Sequence, residues 1–145
     1  MVKISRVRRS LYSAGLVVCI ALMPQLGRAQ SNELDNLLER GRESVEARNW
    51  NSALEAFQRA SALDNRNARI FSGMGFVFAQ QGRFQEAADA YRQAVTLEPD
   101  NADFAYALGF SLANLGNDSA AETAYRRATE LNRRNVNAFL GLGTV

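Results

Sequence analysis

Histidine is absent from the 145 residues, which removes imidazole as a general base and as a metal ligand. The one cysteine, Cys19, lies in the N-terminal segment, so disulfides, thiol catalysis and cysteine metal sites are excluded from the rest of the chain. Of two prolines only Pro99 lies beyond that segment, and lysine stops at Lys3. The N-terminal apolar run, 11–23, is 13 residues long, too short to span a bilayer comfortably. No serine has a visible base beside it. Gly73-Met74-Gly75 superficially starts a dinucleotide motif, but it lies within a helical pattern and follows no strand, so chance explains it. Aspartate and glutamate are scattered over helix surfaces. No catalytic residue, metal site or cofactor is therefore expected, and the chain is read as a non-enzyme.

The N-terminal segment has the layout of a secretory leader. Lys3, Arg6, Arg8 and Arg9 form a positive stretch, the apolar run follows, Pro24 ends it, and Gly27-Arg28-Ala29 offers small residues where a signal peptidase reads. The expected organisation is a signal peptide at 1–29, a short linker at 30–33 and one domain at 34–145. Three rivals are weaker. Leu16-Val17-Val18-Cys19 resembles a lipoprotein box, but Val18 is bulky where a small residue belongs and the apolar run continues past Cys19. Arg8-Arg9 fits a twin-arginine signal poorly. An uncleaved signal anchor is the third.

Cleavage would reverse the charge. The leader holds five of the 17 Lys+Arg and none of the 15 Asp+Glu, leaving 12 basic and 15 acidic residues, a net of −3. The basic pI belongs to the leader, and nucleic-acid binding loses its electrostatic support.

What the chain does have is a period. Residues 34–67, 68–101 and 102–135 align without gaps, 34 residues each. Gly41, Gly75 and Gly109 fall in one column. Ala53, Ala87 and Ala121 form the next. Phe57, Tyr91 and Tyr125 follow, then Ala60, Ala94 and Ala128. A fourth unit opens at Val136, with Gly143 in register. In the second unit Ile70, Phe71, Met74, Val77 and Phe78 mark one helix, Gly82 breaks it, and Phe84, Ala87, Ala88, Tyr91, Ala94, Val95 and Leu97 mark another that Pro99 stops. Each unit is thus an antiparallel helical hairpin. Gly82 and Gly116 supply a left-handed turn between helices. Arg48 stands there in the first unit, with Asn49 the candidate to take over. Gly41, Gly75 and Gly109 suggest close approach to Ala53, Ala87 and Ala121 of the paired helix, while Phe57, Tyr91 and Tyr125 fill the wedge between hairpins.

These columns resemble the tetratricopeptide repeat. The match runs through Gly41, Ala53, Phe57 and Ala60, then Gly75, Phe78, Ala87, Tyr91, Ala94 and Pro99, then Leu108, Gly109, Ala121, Tyr125 and Ala128. The family's early tryptophan is Leu37, Phe71 and Ala105 here, and its closing proline is Asn65 and Arg133 in two units. The resemblance implies an all-α, right-handed superhelical solenoid with three full units and a partial fourth. Its concave face would be lined by the first helix of each unit and would bind a partner protein or peptide. Groove candidates in that register are Arg42, Arg69, Ser72, Phe76, Tyr106, Phe110 and Asn114. Phe76 and Phe110 stand one repeat apart as apolar anchors. The family's lysine-based clamp for a C-terminal carboxylate is not expected, since its surface holds Leu38, Arg42, Ser72 and Phe76 instead. Exported members commonly serve as docking platforms in envelope assembly or secretion, which implies a periplasmic or secreted adaptor. The fourth unit stops at Val145 with no polar cap. Either the chain is a piece of a longer protein, an enzyme included, or this end docks on something, another copy included.

Overall fold

The protein is described by a computed structural model that covers the backbone of residues 10–145 and the side chains of residues 27–145. The leader's Lys3, Arg6, Arg8 and Arg9, and the side chains of its apolar run, lie outside the described residues. The chain divides into two compact units at Asp35/Asn36. The backbone of α1 (Ser10–Glu46) is helical across 30–33, the stretch expected as a linker. Among the described residues no helix is long and apolar enough to cross a membrane.

The unit Asn36–Val145 holds the repeats. After α1 come α2 (Trp50–Leu63), α3 (Ala68–Gln80), α4 (Phe84–Leu97), α5 (Ala102–Asn114), α6 (Asp118–Leu131) and α7 (Val136–Leu142), with no strand among the described residues. From α2 onward each helix packs on the next. Contacts of α3 with α5 and of α5 with α7 join successive first helices, so hairpins stack on hairpins. The expected all-α hairpin architecture is what the chain adopts.

Asparagine starts most of these helices. The side chains of Asn49, Asn67, Asn101, Asn117 and Asn135 each accept from a backbone N–H two or three residues on. Each thereby satisfies a donor that the helix itself leaves without a partner. Arg83, before α4, has no such cap, and its guanidinium pairs with Glu86 at 2.8 Å instead.

The three turns inside the hairpins are built alike. Asn49 N–H donates to Ser44 O at 2.8 Å, Arg83 N–H to Phe78 O at 2.9 Å and Asn117 N–H to Leu112 O at 3.0 Å, the long bond of a Schellman ending. The residue ahead of each donor is left-handed: Gly82 at φ 72°, Gly116 at φ 73° and, in the first hairpin, Arg48 at φ 56°. Asn49 does not take over the turn. It lies at φ −86° and caps α2, so Arg48 itself adopts the conformation that L side chains disfavour.

The core is built from small residues. Ala53, Ala60, Ala87, Ala88, Ala94, Ala121, Ala128 and Ala138 have no exposed surface, and the largest fully buried side chains are Ile70, Val77 and Ser111. Helices lined with alanine approach closely, which leaves the aromatic column to fill the seams. The atoms nearest to Gly41, Gly75 and Gly109 belong to that aromatic column. A Cβ at Gly41 would stand 2.5 Å from the Phe57 ring, one at Gly75 3.0 Å from Tyr91, and one at Gly109 2.7 Å from Tyr125. Two of these rings also meet a second glycine. Gly73 lies against Phe57 and Gly141 against Tyr125, each from the following hairpin. Phe57 and Tyr125 thus take the wedge role expected of the aromatics, each meeting a glycine of its own hairpin and one of the next, whereas Tyr91 meets Gly75 alone.

Candidate functional site

The outward face of the first helices follows from the 3.6-residue period. On α3 it carries Arg69, Ser72, Phe76 and Gln80, and on α5 Asp103, Tyr106, Phe110 and Asn114. Phe76 is 40% exposed and Phe110 41%. Both rings are held on one side by an aromatic from the preceding hairpin. Trp50, at the start of α2, meets Phe76 edge-on with centroids 6.5 Å apart and planes at 66°. Phe84, at the start of α4, meets Phe110 in the same way at 6.1 Å and 73°. The two pairs are related by one 34-residue step, since Trp50 aligns with Phe84 and Phe76 with Phe110. Edge-to-face contact suits the aromatic quadrupole and orients each ring without covering it.

The other candidates divide. Ser72 is half-buried and its hydroxyl donates to Arg69 O at 3.1 Å, so it is spent within its own helix. Tyr106 is half-buried, its ring 5.8 Å from that of Tyr125. Burial, then the neighbouring Tyr106, push the Tyr125 phenol up from its ordinary range. Asn114 donates its amide to Phe110 O at 2.8 Å. Arg42 is exposed but engaged: its guanidinium bonds to Glu39 and, at 2.7 Å, to Glu46. The bond from Arg42 holds the Glu39 carboxyl below its usual range. A ligand carboxylate would therefore have to compete with two carboxylates of the same helix. Arg69 is exposed and has no ion pair among the described residues. Of the seven, Phe76 and Phe110 form a matched set with contact partners, and Arg69 is a cation free to meet an acidic group.

Trp50 and Phe84 complete the set and were not among the groove candidates read from the sequence, where Phe84 marked only the start of a helix. The usable signal was their shared column, one repeat apart at the opening of α2 and α4. The third unit breaks the series, with Asp118 in that column and Thr144 opposite.

A separate open depression of about 480 Å³ lies between α3 and α4, lined by Phe71, Thr96, Leu97 and the paired Asp89 and Arg92. None of the seven candidates lines it. Arg126 and Arg127, the basic pair of α6, are also engaged. Arg126 bonds to Glu122, and Arg127 to Asp100 at 3.0 Å.

Comparison with known proteins places this architecture. A family model described as "TPR repeat" matches residues 41–82 and 77–116, and one described as "Tetratricopeptide repeat" matches 102–135. A TPR repeat-containing protein of Picosynechococcus sp. is 39% identical over 77 residues, which is 53% of this chain and 20% of that protein. The chain thus spans about a fifth of that curated relative's length. Among solved structures, the TPR domain of Arabidopsis OM64 superposes with a TM-score of 0.75 at 20% identity, over 79% of this chain and 94% of that one. The type III secretion chaperone SycD of Yersinia enterocolitica, in complex with a peptide of the translocator YopD, gives 0.73 at 19% identity, over 77% and 91%.

Proposed function

Because the chain belongs to the tetratricopeptide repeat family, we propose that it is an exported adaptor that binds a partner protein or peptide on the outward face of its first helices. The two repeat-related aromatic pairs carry this reading. Phe76 and Phe110 each keep about two-fifths of their surface open. Each is oriented by Trp50 or Phe84 behind it. Rings held in place lose little rotational freedom on binding, and aromatic anchors of this kind dominate interface energetics. Arg69 adds one available cation on the same face, which favours a partner that is apolar with an acidic group nearby. That SycD was solved with a bound translocator peptide is in keeping with peptide capture on such a scaffold. Export rests on the leader's charge, apolar run and small residues before the cleavage position. A periplasmic or secreted location follows from it.

Two measurements test the proposal. Trp50 is the single tryptophan, so its emission reports on the Trp50–Phe76 pair directly. The chain and a Phe76→Asp, Phe110→Asp double variant of equal stability are each used to capture partners from a cell-envelope extract. A protein retained by the first and lost by the second, and shifting Trp50 emission on titration, supports binding at this face. Equal capture by both would place recognition elsewhere. Export is checked by the intact mass of the protein recovered from an expressing cell: loss of residues 1–29 supports it, and an unprocessed chain in the cytoplasm refutes it.

A further inference from the structure

The two aromatic pairs have a spacing as well as a composition. Trp50–Phe76 and Phe84–Phe110 are the same edge-on contact, one 34-residue step apart. Phe76 and Phe110 hold equivalent places on α3 and α5, which pack on each other. Equivalent places on packed helices stand about 8–10 Å apart. A partner that fills both notches must therefore present two side chains on one side at that separation.

Backbone geometry leaves two ways to do so. Side chains on one face of a β-strand recur at about 6.6 Å and about 13 Å, and neither fits. In an α-helix residues i and i+7 share a face about 10.5 Å apart. In polyproline II residues i and i+3 share a face about 9.3 Å apart. A free donor decides between the last two. Among the described residues the indole N–H of Trp50 has no hydrogen-bond partner, and it is not sealed from solvent. A helix has spent its carbonyls on its own N–H groups and would cover this donor without an acceptor, at a cost. The carbonyls of polyproline II are free to accept. Rigid aromatic notches are also what proline-rich segments dock into. Arg69, two turns before Phe76 on α3 and without an ion pair among the described residues, supplies a charge to be complemented.

We propose that the occupant of this face is a proline-rich segment in the polyproline II conformation. Prolines three residues apart sit in the Trp50–Phe76 and Phe84–Phe110 notches, a main-chain carbonyl accepts from the Trp50 indole, and an acidic side chain meets Arg69. The proposal rests on this face being the binding face and adds the class of partner.

The probe is a labelled peptide, Ser-Glu-Ala-Pro-Ala-Ala-Pro-Ala-Glu-Ser, with an acid at each end so that either chain direction reaches Arg69. It is titrated into the chain by fluorescence anisotropy. One control peptide has an extra alanine between the prolines, and another has glutamine for both glutamates. The expected result is saturable binding that shifts Trp50 emission and is weakened at least about tenfold by the extra alanine, as for a lost anchor. Trp50→Phe keeps a ring and drops the N–H, and should weaken binding about threefold to tenfold, as for one lost hydrogen bond. Arg69→Gln should weaken the glutamate peptide and leave the glutamine peptide unchanged. Equal binding of the two spacings overturns the proposal, as does indifference to Trp50→Phe. Tighter binding of an amphipathic helical peptide with leucines seven apart does so too. If the probe does not bind while an envelope protein is still captured by the chain and lost by the Phe76→Asp, Phe110→Asp variant, the proline-rich class fails and the face stands. If capture is also equal in both, the face fails with it.

Discussion

The ring of Phe57 meets Gly73 across the seam between the first and second hairpins, where a Cβ would stand 2.7 Å from Cζ. Gly41 flanks the same ring from its own hairpin. Two glycines thus crowd one ring, and a Cβ at either would have to displace it.

Gly41→Ala is therefore expected to destabilise, although alanine is the better helix former. Overpacking of about 1–3 kcal/mol outweighs a propensity gain of about 1 kcal/mol. Thermal denaturation followed by circular dichroism would show a lower Tm. The double variant Gly41→Ala, Phe57→Leu should recover part of the loss, and strict additivity would contradict the contact.

Arg48→Gly should stabilise. Arg48 holds a left-handed turn at φ 56° with an exposed side chain. Relief of that conformation is worth about 1 kcal/mol after the greater freedom of glycine in the unfolded chain is counted. A higher urea midpoint with an unchanged m-value checks this. The same substitution has in effect been made already at Gly82 and Gly116.

Phe76→Ala should cost little. The exposed ring loses an edge contact with Trp50 worth about 0.5–1.5 kcal/mol plus its partial burial. Trp50 emission should shift at once in the folded protein. A loss above about 3 kcal/mol, as for a core aromatic, would move Phe76 into the core and end its candidacy as an anchor.

Alkali should unfold the protein, and Tyr91 sets part of the threshold. Burial pushes its phenol above the ordinary tyrosine range. The folded state thus holds its proton where the unfolded state releases it. Stability is fully present below the unfolded pKa of about 10 and declines as pH rises beyond it. Tyr91→Phe should shift the alkaline unfolding midpoint upward. Phe57, in the same column, shows that the seam accepts a ring without a hydroxyl. An unchanged midpoint would show that the phenol is not excluded from water.

The hairpins were legible because their signal is local and repeated. Gly82, Pro99 and the apolar spacing bound α3 and α4 from the sequence alone, and the 34-residue step multiplied the signal. The candidate face was legible as a register. Ser72, Arg42 and Asn114 belong to it by position, yet their polar atoms already have partners within a turn of helix. Phe76 and Phe110 gained their significance only with Trp50 and Phe84, each 26 residues away in the chain.

The sequence by itself determined the repeat helices, the hairpin pairing and the family, because amphipathic period and repeat columns act over a few residues at a time. Tertiary structure decided which ring each glycine admits, that Arg48 carries its own turn, and which aromatics stay half open. Those outcomes depend on the distance between stacked helices, set by alanine contacts summed over neighbouring hairpins. No column of residues states that distance.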